Sequence, residues 1–233
     1  MSDRPSLILT CEHASNAIPQ RFKKMFKGGS AALKSNRGWD PGAKRLARSL
    51  AKNHRVPLVE TKVSRLLVEV NRSEHHPALF SDFLRSADDV TKSEILDRHY
   101  RPHRAAVLEL VRRKVNRGNT VLHVGVHTFA PRLNGSVRKA DIGLLYDPAR
   151  DAELDFVSRW KAEIKSVSTQ TVVRRNYPYR GASDGLTTTL RRMFSGDEYL
   201  GVELEVNQKF FQPTGKWKVL ADTLSETLKR AIR

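Results

Sequence analysis

"LILTCEHASNAIP", Leu7 to Pro19, runs an apolar, β-favouring pentad, Leu7 to Cys11, straight into Glu12 and His13 and then into small and polar positions. A strand that stops there leaves an acid and an imidazole on its carboxyl-terminal lip. Working outward, the pattern alternates: "AKRLARSLAKNH" (43–54), "VPLVE" (56–60), "RLLVEVN" (65–71), "DRHYRPHRAAVLELVRRKVNRG" (97–118) and "TVLHVGVH" (120–127). The second half continues with "ADIGLLY" (140–146), the helical "DAELDFVSRWKAEIKSV" (151–167), "TVVRR" (171–175), "DGLTTTLRRMF" (184–194), "YLGVELEVNQ" (199–208) and a closing helix "KWKVLADTLSETLKRAI" (216–232). Strands separated by helices of this length predict a largely parallel sheet covered on both faces. In such sheets the ligand crevice lies beyond the carboxyl ends of the strands.

The 233 residues, 39% of them hydrophobic, suffice for one domain with a substantial core. A formal charge of +17 admits nucleic acid, an anionic membrane surface or an acidic small molecule as partner. The basic residues are scattered, not gathered into a tail, so most are expected on solvated helix faces. One cysteine, Cys11, excludes an intramolecular disulfide and any cysteine-based zinc knuckle. No stretch has the length of a signal-peptide core or a membrane span, so a soluble cytoplasmic protein without membrane contact is expected. Long loops are expected at 26–42, 72–91 and 128–141, and loops of that length usually carry a site.

Several clusters of ionisable residues sit where the crevice should be. His13 follows the first strand. Asp40, in "RGWDPG", begins a helix and reads either as its N-cap, followed by Pro, or as a ligand. His127 ends the strand "TVLHVGVH", with His123 deeper on the same face. Two histidines and a carboxylate at strand ends and a helix start match the donor chemistry of a catalytic zinc with an open position. In "GVELEVNQ", Glu203 and Glu205 point to one face of a buried strand. They call for either a salt bridge to an arginine or a general base. "SRLLVEVNRS" places Glu69, Asn71 and Arg72 at the end of another expected strand, where Arg72 can grip a carboxylate in two-pronged fashion. Arg101, His103, Arg180 and Asp184 are weaker candidates for an anion site or a network.

The ordered blocks "CEHASN", "WDPGAKRLA", "SRLLVEVNRS", "YRPHRAAV", "VGVHTF", "ADIGLLYDP", "NYPYRG", "SDG" and "GVELEVNQ" resemble the N-formylglutamate amidohydrolase family from about Leu7 to Gln208. That resemblance implies a single catalytic domain over residues 1–233, a three-layer αβα sandwich with a mostly parallel mixed sheet, of the phosphorylase/hydrolase-like or zinc carboxypeptidase-like kind. It further implies a zinc-dependent enzyme cleaving an N-acyl amide to a carboxylate and an amino acid. Under it His13, Asp40 and His127 are the metal ligands, with Glu12 a competing carboxylate. Glu205 is the base and Glu203 its neighbour. Asn71 and Arg72 resemble the pair that holds the substrate carboxylate, joined by Arg180. The family's usual "PHSG" and "DxH" blocks are replaced here by "CEHASN" and "WDPG", which marks a divergent branch.

The expected substrate is therefore a small anionic N-acyl amino acid such as N-formylglutamate. An amidase acting on a larger, peptidoglycan-like substrate is the alternative within hydrolases. A basic nucleic-acid-binding protein on the same scaffold is the alternative outside them; with 7% aromatic residues and no recognition motif, nucleic acid is the weaker partner.

Overall fold

The computed structural model describes residues 4–213 and 215–233. In chain order the elements are β1 (Ser6–Cys11), α1 (Ser30–Lys34), α2 (Ala43–His54), β2 (Leu58–Glu60), α3 (Asp89–Ile95) and α4 (Arg101–Val115). Then come β3 (Val121–Phe129), a small hairpin of β4 (Arg132–Leu133) and β5 (Ser136–Val137), β6 (Ile142–Leu145), α5 (Asp151–Val167) and β7 (Val173–Arg175). The chain closes with α6 (Leu186–Arg191), β8 (Tyr199–Asn207) and α7 (Trp217–Ala231).

Six strands form one sheet in the order β2-β1-β3-β8-β6-β7. The first four run parallel, β6 lies antiparallel to β8, and β7 parallels β6. The carboxyl ends of β1, β2, β3 and β8 consequently share one edge of the sheet, as a mostly parallel mixed sheet requires. The period-2 alternation of β1 sends Leu7, Leu9 and Cys11 to a core with α2, α5 and α7, and Ile8 to a core with α4 and α6. Helices thus cover both faces and the molecule is a three-layer α/β sandwich. In α2 the buried Ala43, Leu46, Ala47 and Leu50 recur at the helical period; in α7 Leu220, Leu224 and Leu228 do the same. Burying each such leucine contributes about 1.5–3 kcal/mol.

One expected strand is absent: 65–71 forms turns. Its backbone bonds go to scattered partners, with Arg65 N–H donating to the Gly38 carbonyl and Glu69 N–H to that of Leu79. Leu66, Leu67, Val68 and Val70 enter a separate apolar cluster with Ile18, Phe22, Phe26, Leu79, Leu84 and Ile95. Packing on all sides produces a continuous apolar run whether or not a ladder forms, so the run alone does not specify a strand. This second cluster also organises two of the expected long loops: α1 lies within 26–42, and a 3-10 turn at 82–84 and the start of α3 lie within 72–91. The third, 128–141, contains the β4–β5 hairpin.

A buried charge pair joins the second half. Glu153, fully buried on α5, accepts from Arg191 Nε at 2.9 Å, from Gly201 N–H at 2.8 Å and from Asp147 N–H at 2.8 Å. Arg191 donates its remaining nitrogens to the carbonyls of Gly181 and Gly201, both at 2.6 Å. Removing the acid strands a buried guanidinium. Glu153→Ala should lower stability by about 3–5 kcal/mol in urea unfolding; a loss below about 1 kcal/mol would show that the pair does not hold α5 to the sheet.

Candidate metal centre and its cleft

His13 lies two residues beyond β1, and His127 near the end of β3. Asp40 precedes α2, its N–H donating to the His13 carbonyl at 3.0 Å. Of the two readings of Asp40, the helix cap does not hold: α2 begins at Ala43, and the cap position is Gly42, in a left-handed conformation (φ 92°). A side chain there would strike the Phe211 ring. The turn through Gly42 frees the Asp40 carboxylate to face the histidines. Its Oδ2 is 3.2 Å from His13 Nδ1 and 3.2 Å from His127 Nδ1, and the two ring nitrogens are 3.2 Å apart. All three residues are buried.

The opposite ring nitrogens each meet a carboxylate. His13 Nε2 is 2.7 Å from Glu69 Oε1, and His127 Nε2 forms an ion pair with Glu12 Oε2 at 3.1 Å. A carboxylate at Nε2 favours the tautomer protonated there, which turns the Nδ1 lone pair inward. Three lone-pair atoms then face one another, an arrangement that needs positive charge between them. Protons can meet that need: burial and Arg65 push His13 down, but Glu69 and Asp40 overcome them and hold it above the ordinary histidine value. Burial likewise opposes a charged His127, yet its contacts with Asp40 and Glu12 raise it well above that value. A divalent cation is the other charge that meets it, because His, His and carboxylate are donors that could hold one and that suit zinc.

Glu12 belongs behind this cluster. Its carboxylate lies on the far side of the His127 ring from Asp40, with His103 Nε2 4.0 Å away. His123 lies deeper, between Thr10 Oγ1 and the Tyr199 hydroxyl at 2.7 Å each, and burial lowers its pKa to about 4, so it stays neutral. Sequence reading gave Glu69 no role and did not single out Arg65, yet these two tie the first histidine to the acid. Arg65 Nε donates to Glu69 Oε2 at 2.6 Å while its Nη1 is 3.6 Å from Asp40 Oδ1. An Arg and a Glu four apart inside an apolar run were the available signal.

The cleft over the cluster encloses about 480 Å³. Glu203 and Glu205 both line it from β8, and strand register sets Glu205 beside His127. Among the described residues, neither forms the arginine salt bridge that was one reading of the pair. Glu205 Oε2 is buried without a hydrogen-bond partner among the described residues. Burial, with Asp40 and Glu203 adding to it against His127, pushes the Glu205 carboxyl up to about 8. Glu203 Oε1 accepts from Asn71 Nδ2 and Thr187 Oγ1, both at 3.4 Å. Asn71 Oδ1 accepts from Leu186 N–H at 2.9 Å, so both ends of that amide bind protein. Arg72 lines the cleft and gives Nη1 to the Asp184 carbonyl at 2.6 Å; Arg180 lines it exposed. Arg101 points elsewhere, to Glu74 and Asp97 on the surface.

Fold and site together define an α/β protein with a candidate metal centre at the carboxyl edge of its sheet, of the kind hydrolases use. The profile of the N-formylglutamate amidohydrolase family matches residues 5–212, and the chain belongs to that family. Membership makes it an amidohydrolase, an enzyme class that cleaves amides. Among solved structures it resembles the gene product Atu2144 from Agrobacterium tumefaciens (28% identity, TM-score 0.83, covering 98% of this chain and 90% of that one). It also shares the fold of N-formylglutamate amidohydrolase from Ralstonia eutropha JMP134 (18% identity, TM-score 0.69, covering 98% and 93%). No curated protein matches the chain. No described helix is long and apolar enough to cross a membrane.

A cation site built from these donors predicts that purified protein reconstituted with zinc takes up about one ion per chain by elemental analysis. The double variant His13→Ala, His127→Ala should retain none while still unfolding cooperatively; equal uptake by both proteins would place the ion elsewhere.

Proposed function

We propose that this amidohydrolase is zinc-dependent and cleaves the amide of a small anionic N-acyl amino acid, with N-formylglutamate the leading candidate. The observation that carries this reading is the convergence of His13, Asp40 and His127 under Glu205, whose buried Oε2 has no hydrogen-bond partner among the described residues. His13, Asp40 and His127 would hold the ion, with Glu69 and Glu12 orienting the imidazoles from behind. When bound there, zinc supplies Lewis acidity that polarises a carbonyl and eases the deprotonation of water at neutral pH.

The rest is the work of the chain's own side chains. Glu205 takes a proton from the attacking water as the new C–O bond forms, and returns it to the amide nitrogen as the C–N bond breaks. The products are a carboxylate and a free amine. A carboxyl whose proton affinity lies near neutrality suits a group that must both accept and release a proton. Burial, with Asp40 and then Glu203 adding to it, keeps that affinity high, and Asn71 fixes Glu203 and the start of α6. Arg72 and Arg180 pair with the substrate carboxylate through their remaining donors. A cytoplasmic location accords with a lone, buried cysteine.

Glu205→Gln preserves size and removes the base. It should keep its zinc and lose about 10²–10⁴-fold in kcat on N-formylglutamate; near-normal turnover would remove Glu205 from the mechanism. No hydrolysis of N-formyl or other N-acyl amino acids by the zinc-loaded wild type would overturn the substrate class.

A further inference from the structure

Six arginines line the cleft, and they are not equivalent. Arg65 is engaged by Glu69 and Asp40, and Arg72 by the Asp184 carbonyl. Among the described residues, the guanidinium groups of Arg37, Arg132 and Arg180 have no ion-pair or hydrogen-bond partner. Arg138 is held only by rings, 5.8 Å from the centroid of Phe129 and 5.4 Å from that of Tyr179.

These cations stand on anchored backbone. Arg138 N–H donates to the Pro131 carbonyl at 2.8 Å across the base of the β4–β5 hairpin, and Asn207 Nδ2 donates to the carbonyls of Arg138 and Ala140. Arg37 sits in the turn closed by the Gly38 N–H to Ser35 carbonyl bond. Arg180 lies in a loop pinned by Asn176 Oδ1, which accepts from Tyr146 N–H and Gly181 N–H.

Even with the two carboxylates of N-formylglutamate placed on Arg72 and Arg180, the hairpin arginines and Arg37 remain around the same mouth, where like charges repel until an anion comes between them. The volume points the same way. About 480 Å³ falls within the roughly 300–1,000 Å³ that accommodates drug-sized ligands, whereas a formylated amino acid has only about a dozen non-hydrogen atoms.

We propose that the substrate extends beyond the amino acid whose amide is cut and carries a further anionic group there, gripped by Arg132 and Arg138; an N-acylated acidic dipeptide is its smallest representative. This rests on the hydrolase reading above and specifies the substrate of that site. Guanidinium groups bind carboxylates through paired, charge-assisted hydrogen bonds, so the extension gains affinity and register together. A merely attractive field would instead speed capture of every anion alike.

The test compares N-formylglutamate with N-formyl-glutamyl-glutamate on zinc-loaded wild type and on the double variant Arg132→Gln, Arg138→Gln. Wild-type kcat/KM should favour the dipeptide about tenfold or more, and the ratio should fall towards one in the variant. As a readout free of turnover, calorimetric binding of the same dipeptide to Glu205→Gln should weaken about tenfold when the two arginine changes are added. Hydrolysis of both substrates at parity in the wild type, or a ratio unchanged in the variant, overturns this inference and leaves the hydrolase reading standing. Hydrolysis of neither overturns the hydrolase reading and this inference with it.

Discussion

The parallel pairing of β1, β3 and β8 at the centre of the sheet is the constraint from which the site follows. Register aligns His127 with Glu205 across β3 and β8, and β1 delivers Glu12 and His13 to the same lip. Because side chains alternate along a strand, the residues that reach the cleft are fixed once the ladder forms; a slip of one residue would turn His127 and Glu205 into the opposite layer. The apolar runs that drive the strands into the core therefore also aim the chemistry. Two cores on opposite faces hold the ladder flat against displacement, so the site's precision derives from bulk packing as much as from local bonds.

Burying so much charge at one edge requires compensation, and the compensation has a definite shape. Three acids, Glu12, Asp40 and Glu69, surround two imidazoles and one guanidinium, and each of the three acids is held below the ordinary carboxylate range against the opposing effect of burial. Arg65 serves Glu69 and Asp40 at once, so the outer partner of His13 and the acid that meets both rings are linked through one fork. Glu205 stands outside this arrangement: burial dominates and its proton affinity rises. Acids on the same lip thus take opposite protonation tendencies.

Much of this was legible in the sequence. Alternating apolar residues and helical spacing located β1, β3, β8, α2, α5 and α7, and strand ends directed attention to His13, His127 and Glu205. What was hidden shares a physical cause. The run 65–71 is apolar because it is enclosed by a second cluster, and residue pattern does not distinguish enclosure from sheet membership. The role of Arg65 depends on where that irregular segment crosses Asp40, a contact 25 residues away in sequence that no local period announces. Asp40 itself carried a helix-cap signature, and only the left-handed turn at Gly42 moved the cap away and released the carboxylate.

The floor and the mouth of the cleft are built on different principles. Strand ends form the floor, where buried charges are matched by specific partners and a displaced atom would leave a buried ion uncompensated. Turns and the hairpin form the mouth, where Arg37, Arg132 and Arg180 are exposed and can vary at little cost to stability. Changes at the mouth can therefore leave the buried charges of the floor undisturbed. Structural similarity of 0.83 at 28% identity is the pattern expected when a ladder and its buried charges set the fold and leave most of the surface free. On that division, the arginines at the rim are the part of the cleft most free to differ between proteins that share this fold.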